Sequence, residues 1–299
     1  MNISVAMATY NGSEYLVSQL DSIAAQTLLP EEIIICDDCS SDETINIIER
    51  HQLFKIIKLN VNEHRIGIVE NFKKATALCK FDNFIAFADQ DDIWLPTKLE
   101  KNHNALGALN CQNLPALVYS DAIFVNKNGD ILNYSFMKEM GIDKFKHNFE
   151  TVLFGSLMLG CTIMFNSKMR EVLLTLPSNA NFNHDAWVSL ASFSFGVNYF
   201  IKEPLILYRK HEKNSTISAY KKINRFNKIK KFLKNIFFKN DYLLSEISLA
   251  EAFKDRYYFN ISDLQKNRIN RFLKMKNLSF FIKKIYFELS FFKHWNKRF

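Results

Sequence analysis

Apolar residues recur at two spacings along the first part of the chain. Short, nearly continuous runs occupy Ile3 to Ala8, Glu32 to Cys36, Phe54 to Leu59 and Phe84 to Ala88. Runs of that length and density suit strands buried on both faces. Between them the apolar positions fall at helical intervals. Tyr15, Leu16, Leu20 and Ile23 share one face of a segment from Glu14 to Gln26. Further helices are predicted from a cap at Ser41 or Asp42 through Arg50, and from Ile68 to Cys79. This alternation predicts an α/β fold: a Rossmann-like, mostly parallel sheet with helices on both faces. Beyond it, helices are predicted at Lys98 to Leu109, Ser167 to Leu176 and His184 to Phe195. Strands are predicted at Leu117 to Val125 and Cys161 to Phe165, with a short strand pair from Val197 to Arg209 broken at Pro204.

The pattern changes near Tyr220. Phe226, Ile229, Phe232, Leu233, Ile236 and Phe237 form a helical stripe beside Lys228, Lys230, Lys231 and Lys234, and Phe280 to Phe299 mixes aromatic with basic residues. Two regions are therefore expected, a body at 1–220 and a basic, α-helical C-terminal extension at 221–299. Charge sharpens this division. The net charge of +8 combines 20 Lys/Arg against 6 Asp/Glu in residues 221–299 with 19 against 25 before them. A basic extension on an acidic body points to an anionic membrane surface rather than to nucleic acid. Packing of the same apolar stripes on the body is equally compatible with the pattern.

Composition adds little more. At 299 residues, 48% hydrophobic, the chain can bury a large core. Cys36 and Cys39 form a C-x-x-C with two acids between them, which reads as coincidence, and reduced thiols in the cytosol are expected. Met1-Asn2 leads into a strand without a basic segment, so no signal peptide is expected. No apolar run approaches the roughly 18 residues of a membrane span.

The chemistry collects where the predicted strands end. After the first lie Thr9-Tyr10-Asn11-Gly12 and Glu14; after the second, Asp37-Asp38-Cys39-Ser40-Ser41-Asp42; after the third, Arg65-Ile66-Gly67 and Asn71; after the fourth, Asp89-Gln90-Asp91-Asp92. Each alone suits a turn or a helix cap. In a parallel sheet all four face one crevice, where open α/β sheets bind ligands. Crowded carboxylates there ask for a divalent cation carrying phosphates. Asp92 also suits the cap of the helix that follows Pro96.

Ala8-Thr9-Tyr10-Asn11-Gly12, Asp37-Asp38-Cys39-Ser40-Ser41-Asp42 and Asp89-Gln90-Asp91 together resemble the signature of family 2 glycosyltransferases of the GT-A fold. The Asp-Gln-Asp-Asp-x-Trp form is similar to the rhamnosyltransferase branch of bacterial polysaccharide synthesis. The resemblance covers residues 1–215, with Cys39 where the family usually carries Gly or Asn. It implies a nucleoside-diphosphate-sugar donor, dTDP-rhamnose first and UDP-sugars next, and a glycan or lipid-linked glycan acceptor at the inner membrane face. Thr9 and Asp38 would contact the base. Tyr10, Asn11, Glu14, Gly67 and Asn71 would line the nucleotide pocket, and Asp89 would approach the ribose and metal. Asp91, with Asp89 and His211, would hold Mg²⁺ or Mn²⁺. Asp185, ahead of an aromatic residue, would be the general base of an inverting transfer. Gly160, Cys161, His184 and Trp187 would form the acceptor side. The rival readings are a non-catalytic nucleotide-sugar-binding protein and a nucleotidyltransferase. The latter would want a basic, Gly-rich loop after the first strand, which Thr9 to Gly12 does not provide.

Overall fold

The computed structural model describes residues 1–212 and 243–278, together with Ile282, Lys283 and Ile285. Strands β1 (Ile3–Thr9), β2 (Glu32–Asp37), β3 (Ile57–Val61) and β4 (Phe84–Ala88) are parallel, in the spatial order β3-β2-β1-β4. Every residue of β2 and β4 is buried, which is why both read as unbroken apolar runs. Helices α1 (Leu16–Ala24), α2 (Thr44–Arg50) and α3 (Ile68–Leu78) make the crossovers. The strand order reverses at β1, so right-handed crossovers put α1 and α2 on one face and α3 on the other. The register pairs Thr9 with Asp37 and Met7 with Ala88, which brings the strand ends to one edge.

The sheet then changes direction. Two-residue strand β5 (Ile93–Trp94) precedes α4 (Lys98–Ala108), and β6 (Ala116–Val125) follows, with β7 (Ile131–Asn133) at its edge. Short strand β8 (Met164–Phe165) is antiparallel to both β4 and β6, and β9 (Val197–Arg209) runs parallel to β6. The full order is β3-β2-β1-β4-β8-β6-β9-β5, a mixed sheet with a parallel half. Helices α5 (Phe136–Glu139), α6 (Phe149–Val152), α7 (Ser167–Leu174) and α8 (His184–Ser194) complete the body.

Several expectations need correction. The third strand begins at Ile57 rather than Phe54, because the His51 ring accepts the Leu53 N–H at 3.2 Å and starts a 3₁₀ turn over Gln52–Ile56. Cys161 lies in another 3₁₀ turn, Gly160–Thr162, and the strand behind it keeps only Met164–Phe165. Pro204 does not break β9. The strand absorbs it as a register shift opposite Ser120 and Asp121, since proline has no N–H for the ladder. Asp92 caps nothing: it is fully buried, and Thr97 occupies the N-cap of α4.

Helices α9 (Leu244–Tyr257) and α10 (Asp263–Leu273) pack on the body. Phe253 is wholly buried, its ring 5.4 Å from that of Trp187 and stacked on Phe195 at 5.9 Å. The Tyr257 and Thr175 hydroxyls bond at 2.6 Å, and the Gln265 amide donates to the Ser194 carbonyl at 2.8 Å. The expected stripe at 226–237, the boundary at 220/221 and most of 280–299 lie outside the described residues. Among the described residues no helix is long and apolar enough to cross a membrane.

Candidate active site

A cavity of ≈ 380 Å³ opens at the shared strand edge, between β1, β2 and β4 on one side and the start of α8 on the other. Its lining includes Thr9, Tyr10, Asp38, Asn71, Asp89, Asp91, Gly160, His184 and Asp185, so both halves of the sequence signature meet here.

The nucleotide side is built from saturated hydrogen bonds. Thr9 Oγ1 donates to Asp37 Oδ2 at 2.7 Å, and Asp37 also accepts the Ser40 N–H and hydroxyl. Asp38 Oδ1 accepts from the Ile66 N–H at 2.7 Å and the Asn62 amide at 3.2 Å, while Oδ2 accepts the Gly67 N–H at 3.0 Å. Burial raises the Asp38 pKa, but these donors outweigh it and hold the carboxyl below its usual range. The Asn71 side chain is a further donor and Arg65 Nε stands 3.8 Å from Oδ2, so the roughly four acceptor sites of this carboxylate are all engaged. Gly67 takes φ +84° ahead of α3, a conformation that favours glycine, and from there turns its N–H to Asp38. Tyr10 lies under the Arg65 guanidinium, 3.8 Å from ring centroid to Cζ.

Three nucleotide-pocket candidates act from behind the lining. Asn11, at φ 45°, accepts the Ser41 N–H at 2.9 Å and ties the first two strand-end loops together. Glu14 turns to the Tyr15 hydroxyl. Gly67 contributes only backbone. Gln90, which the sequence reading left without a role, joins the nucleotide loop to the acidic turn: its side chain accepts the Tyr10 N–H at 2.9 Å and donates to the Tyr10 carbonyl at 3.1 Å. A Cβ on Gly12 would fall 2.3 Å from Gln90 Oε1, so a side chain there would push the Gln90 amide away from Tyr10.

On the acidic side, burial raises the Asp89 carboxyl to about 7, helped by the charges of Asp91 and Asp185. His211 Nε2 lies 2.7 Å from Asp91 Oδ2, and its ring packs 4.8 Å from that of Tyr15. Arg209, absent from the expected site, holds this corner together. Its Nε donates to the Asp91 carbonyl at 3.0 Å, one terminal nitrogen to the Lys127 carbonyl at 2.8 Å, and its N–H to Asp92 Oδ1 at 3.2 Å. The guanidinium also stands 4.8 Å above the Tyr15 ring. Its signal lay in Tyr208-Arg209-Lys210-His211, where the eye goes to the histidine.

The charges of Asp91 and Asp185 crowd Asp89, and Asp91 with His211 beside it offers an oxygen and an imidazole donor, chemistry that fits a divalent cation. A second grouping, Asp89, Asp92 and Cys161, has ligand atoms within 4.8 Å of one another but fits poorly. Asp92 and Cys161 are sealed beneath the cavity, burial and the two aspartates push the thiol well above its usual range, and the buried Lys98 ammonium faces the pair. That geometry corrects the acceptor-side assignment of Cys161. A 3₁₀ turn advances about a third of a revolution per residue, so Gly160 faces the cavity and Cys161 faces inward.

Asp185 opens α8, and its carboxyl accepts the Ala186 N–H at 2.7 Å. Burial raises it to about 6, against the backbone donors that lower it. His184 stacks on Phe72 at 4.1 Å and meets Phe87 edge-on at 4.8 Å, and burial pushes it down to about 3, so it is neutral. Gly160 leaves room for it: a Cβ there would lie 3.2 Å from His184 Nε2. Trp187 does not reach the cavity. It is fully buried, donates to the Val172 carbonyl at 3.0 Å and stacks on Phe182.

Comparisons with known proteins agree with this arrangement. The family model described as glycosyl transferase family 2 matches residues 4–168. The dTDP-rhamnosyl transferase RfbG of Shigella flexneri is 31% identical over 221 residues, spanning 70% of this chain and 72% of that one. The putative teichuronic acid biosynthesis glycosyltransferase TuaG of Bacillus subtilis is 27% identical over 232 residues, spanning 73% and 82%. Among solved structures, S. aureus TarS 1-349 in complex with UDP superposes with a TM-score of 0.58 at 15% identity, covering 100% of this chain and 94% of that one. At that identity the likeness bears on the fold alone, which is GT-A. The family match over more than half the chain, on the geometry above, places this protein in glycosyl transferase family 2, and it is a glycosyltransferase.

Proposed function

We propose that this chain is an inverting transferase that moves a sugar from a nucleoside-diphosphate donor to a hydroxyl of a growing surface polysaccharide. The observation that carries the reading is the position of Asp185, a carboxyl raised to about 6 on the wall shared with Asp89 and Asp91. A base near that value is ionised at neutral pH yet basic enough to receive a proton in a transition state. The acceptor oxygen attacks the anomeric carbon, the bond to the diphosphate breaks, and Asp185 takes the hydroxyl proton. Asp38, Asn71 and Thr9 hold the base side, Tyr10 and Arg65 flank it, and Asp89 sits at the ribose. Neutral His184 and Gly160 shape the acceptor mouth.

Asp91, Asp89 and His211 would hold Mg²⁺ or Mn²⁺, which when bound supplies counter-charge to the leaving diphosphate. The similarity to a relative named as a dTDP-rhamnosyl transferase supports dTDP-rhamnose as the first donor to try, with UDP-sugars next. The basic chain end supports a lipid-linked acceptor at an anionic membrane, on its cytoplasmic side.

The test is nucleoside diphosphate release across dTDP-, UDP- and GDP-sugars with Mn²⁺. One donor class should be turned over, and Asp185→Asn should lower kcat at least about a hundredfold with donor affinity nearly unchanged. Full turnover by that variant would remove Asp185 from the mechanism.

A further inference from the structure

A second cavity, ≈ 690 Å³, shares no lining residue with the first. Asp121 of β6 with Phe200 and Lys202 of β9 form its floor, and the segment from Ser135 to Asn148 forms its wall. The wall is fixed to the sheet. Asp121 Oδ2 accepts the Ser135 hydroxyl at 2.5 Å, and Oδ1 accepts the N–H groups of Met137 and Ala122 at 3.1 and 2.8 Å. That carboxylate is therefore committed to its own scaffold.

His147 is fixed as firmly. Its Nε2 lies 3.3 Å from the Ile142 carbonyl, which can only accept, so Nε2 carries the proton and Nδ1 accepts the Tyr119 hydroxyl at 3.1 Å. Burial holds this imidazole below its usual range, which favours its neutral form. Tyr119 and Phe200 rings lie 5.1 Å apart, and His147 meets Phe200 edge-on at 5.8 Å. The result is a preformed aromatic floor. Around it stand Lys138, Lys146 and Lys202, all exposed, and no ion pair among the described residues engages their ammonium groups.

We propose that this cavity binds an acidic saccharide, as a glycan subsite separate from the transfer centre. The Phe200 ring offers a flat apolar surface to the C–H face of a pyranose, and three lysines against the carboxylates of Asp121 and Asp143 leave the lining with an excess of positive charge that favours a sugar bearing carboxylate or phosphate. Its use rests on the polysaccharide acceptor proposed above, but binding requires neither donor nor transfer.

The test is calorimetric titration of the full chain at low salt with trigalacturonate, maltotriose and inorganic phosphate. Trigalacturonate should bind at least about tenfold more tightly than either of the others. The triple substitution Lys138→Glu, Lys146→Glu, Lys202→Glu should remove that binding and leave nucleoside diphosphate binding unchanged. Maltotriose binding equally well would eliminate the charge selection, and phosphate binding equally well would reduce the site to a bare anion cradle. Either result overturns the proposal, as does trigalacturonate binding that survives the triple substitution or is absent from the parent chain. Asp185→Asn should bind trigalacturonate like the parent. Intact trigalacturonate binding in a parent chain that turns over none of the donors would sink the transfer reading alone.

Discussion

Arg209 shows how much of this centre depends on a side chain that never faces the cavity. It is 5% exposed, and its side chain reaches the Asp91 carbonyl, the Lys127 carbonyl and the Tyr15 ring, while its backbone N–H serves the Asp92 carboxylate. A planar guanidinium serves several acceptors at fixed angles, and an ammonium does not. Arg209→Lys keeps the charge and loses the fork. It should weaken Mn²⁺ binding, read by electron paramagnetic resonance, by about ten- to a hundredfold, as loss of an outer-shell partner typically does. Unchanged Mn²⁺ affinity would show that Asp91 keeps its place unaided. The places of Asp38, Asp89 and Asp91 were legible in the sequence because each follows an apolar run that ends there, whereas Asp185, in the first turn of α8, stood out only through the family resemblance. Trp187 was misplaced for a reason of helical phase. Two residues along a helix are about 200° apart, so the neighbour of a cavity-facing Asp185 points to the opposite side.

At the scale of elements, the strands that read best are those with no exposed face. β2 and β4 are buried throughout, and the expected limits fall within a residue of those found. The region between β7 and β8 was not legible. Its helices α5 and α6 span four residues each, too short for a periodicity to register, and depend on caps such as the Asn148 capping box. Helix α8 is braced from behind, where Trp187 packs on Phe253 of α9. Phe253→Ala should cost about 3–5 kcal/mol of stability, the usual range for a buried aromatic truncated to alanine. Denaturant unfolding measures it, and a loss below about 1 kcal/mol would mean that α9 rests on the body without supporting it.

For the molecule as a whole, the buried carboxylates make stability depend on pH. Asp89 at about 7 and Asp185 at about 6 both lie above the ordinary aspartate value, so the folded state holds protons that the unfolded chain has released. Their contribution is fully present only below the ordinary aspartate value of 3.8, and is lost as pH rises from there to about 6 to 7. In chelator, Asp89→Asn should therefore melt above the parent at about pH 8, by a margin that shrinks towards acid pH and closes near the ordinary aspartate value, where the unfolded chain also holds the proton. Mn²⁺ should raise the parent's midpoint and not the variant's. A variant that melts below the parent at the alkaline pH would contradict the charge assignment.

The contact between Trp187 and Phe253 also orders events during synthesis. The four parallel strands of the nucleotide edge have all left the ribosome once β4 has, because β1, β2 and β3 precede it in the chain. The helix that carries Asp185 gains its rear support only after residue 253 has emerged. In chain order, the strands that carry the nucleotide edge are thus all present well before the helix of Asp185 gains its brace.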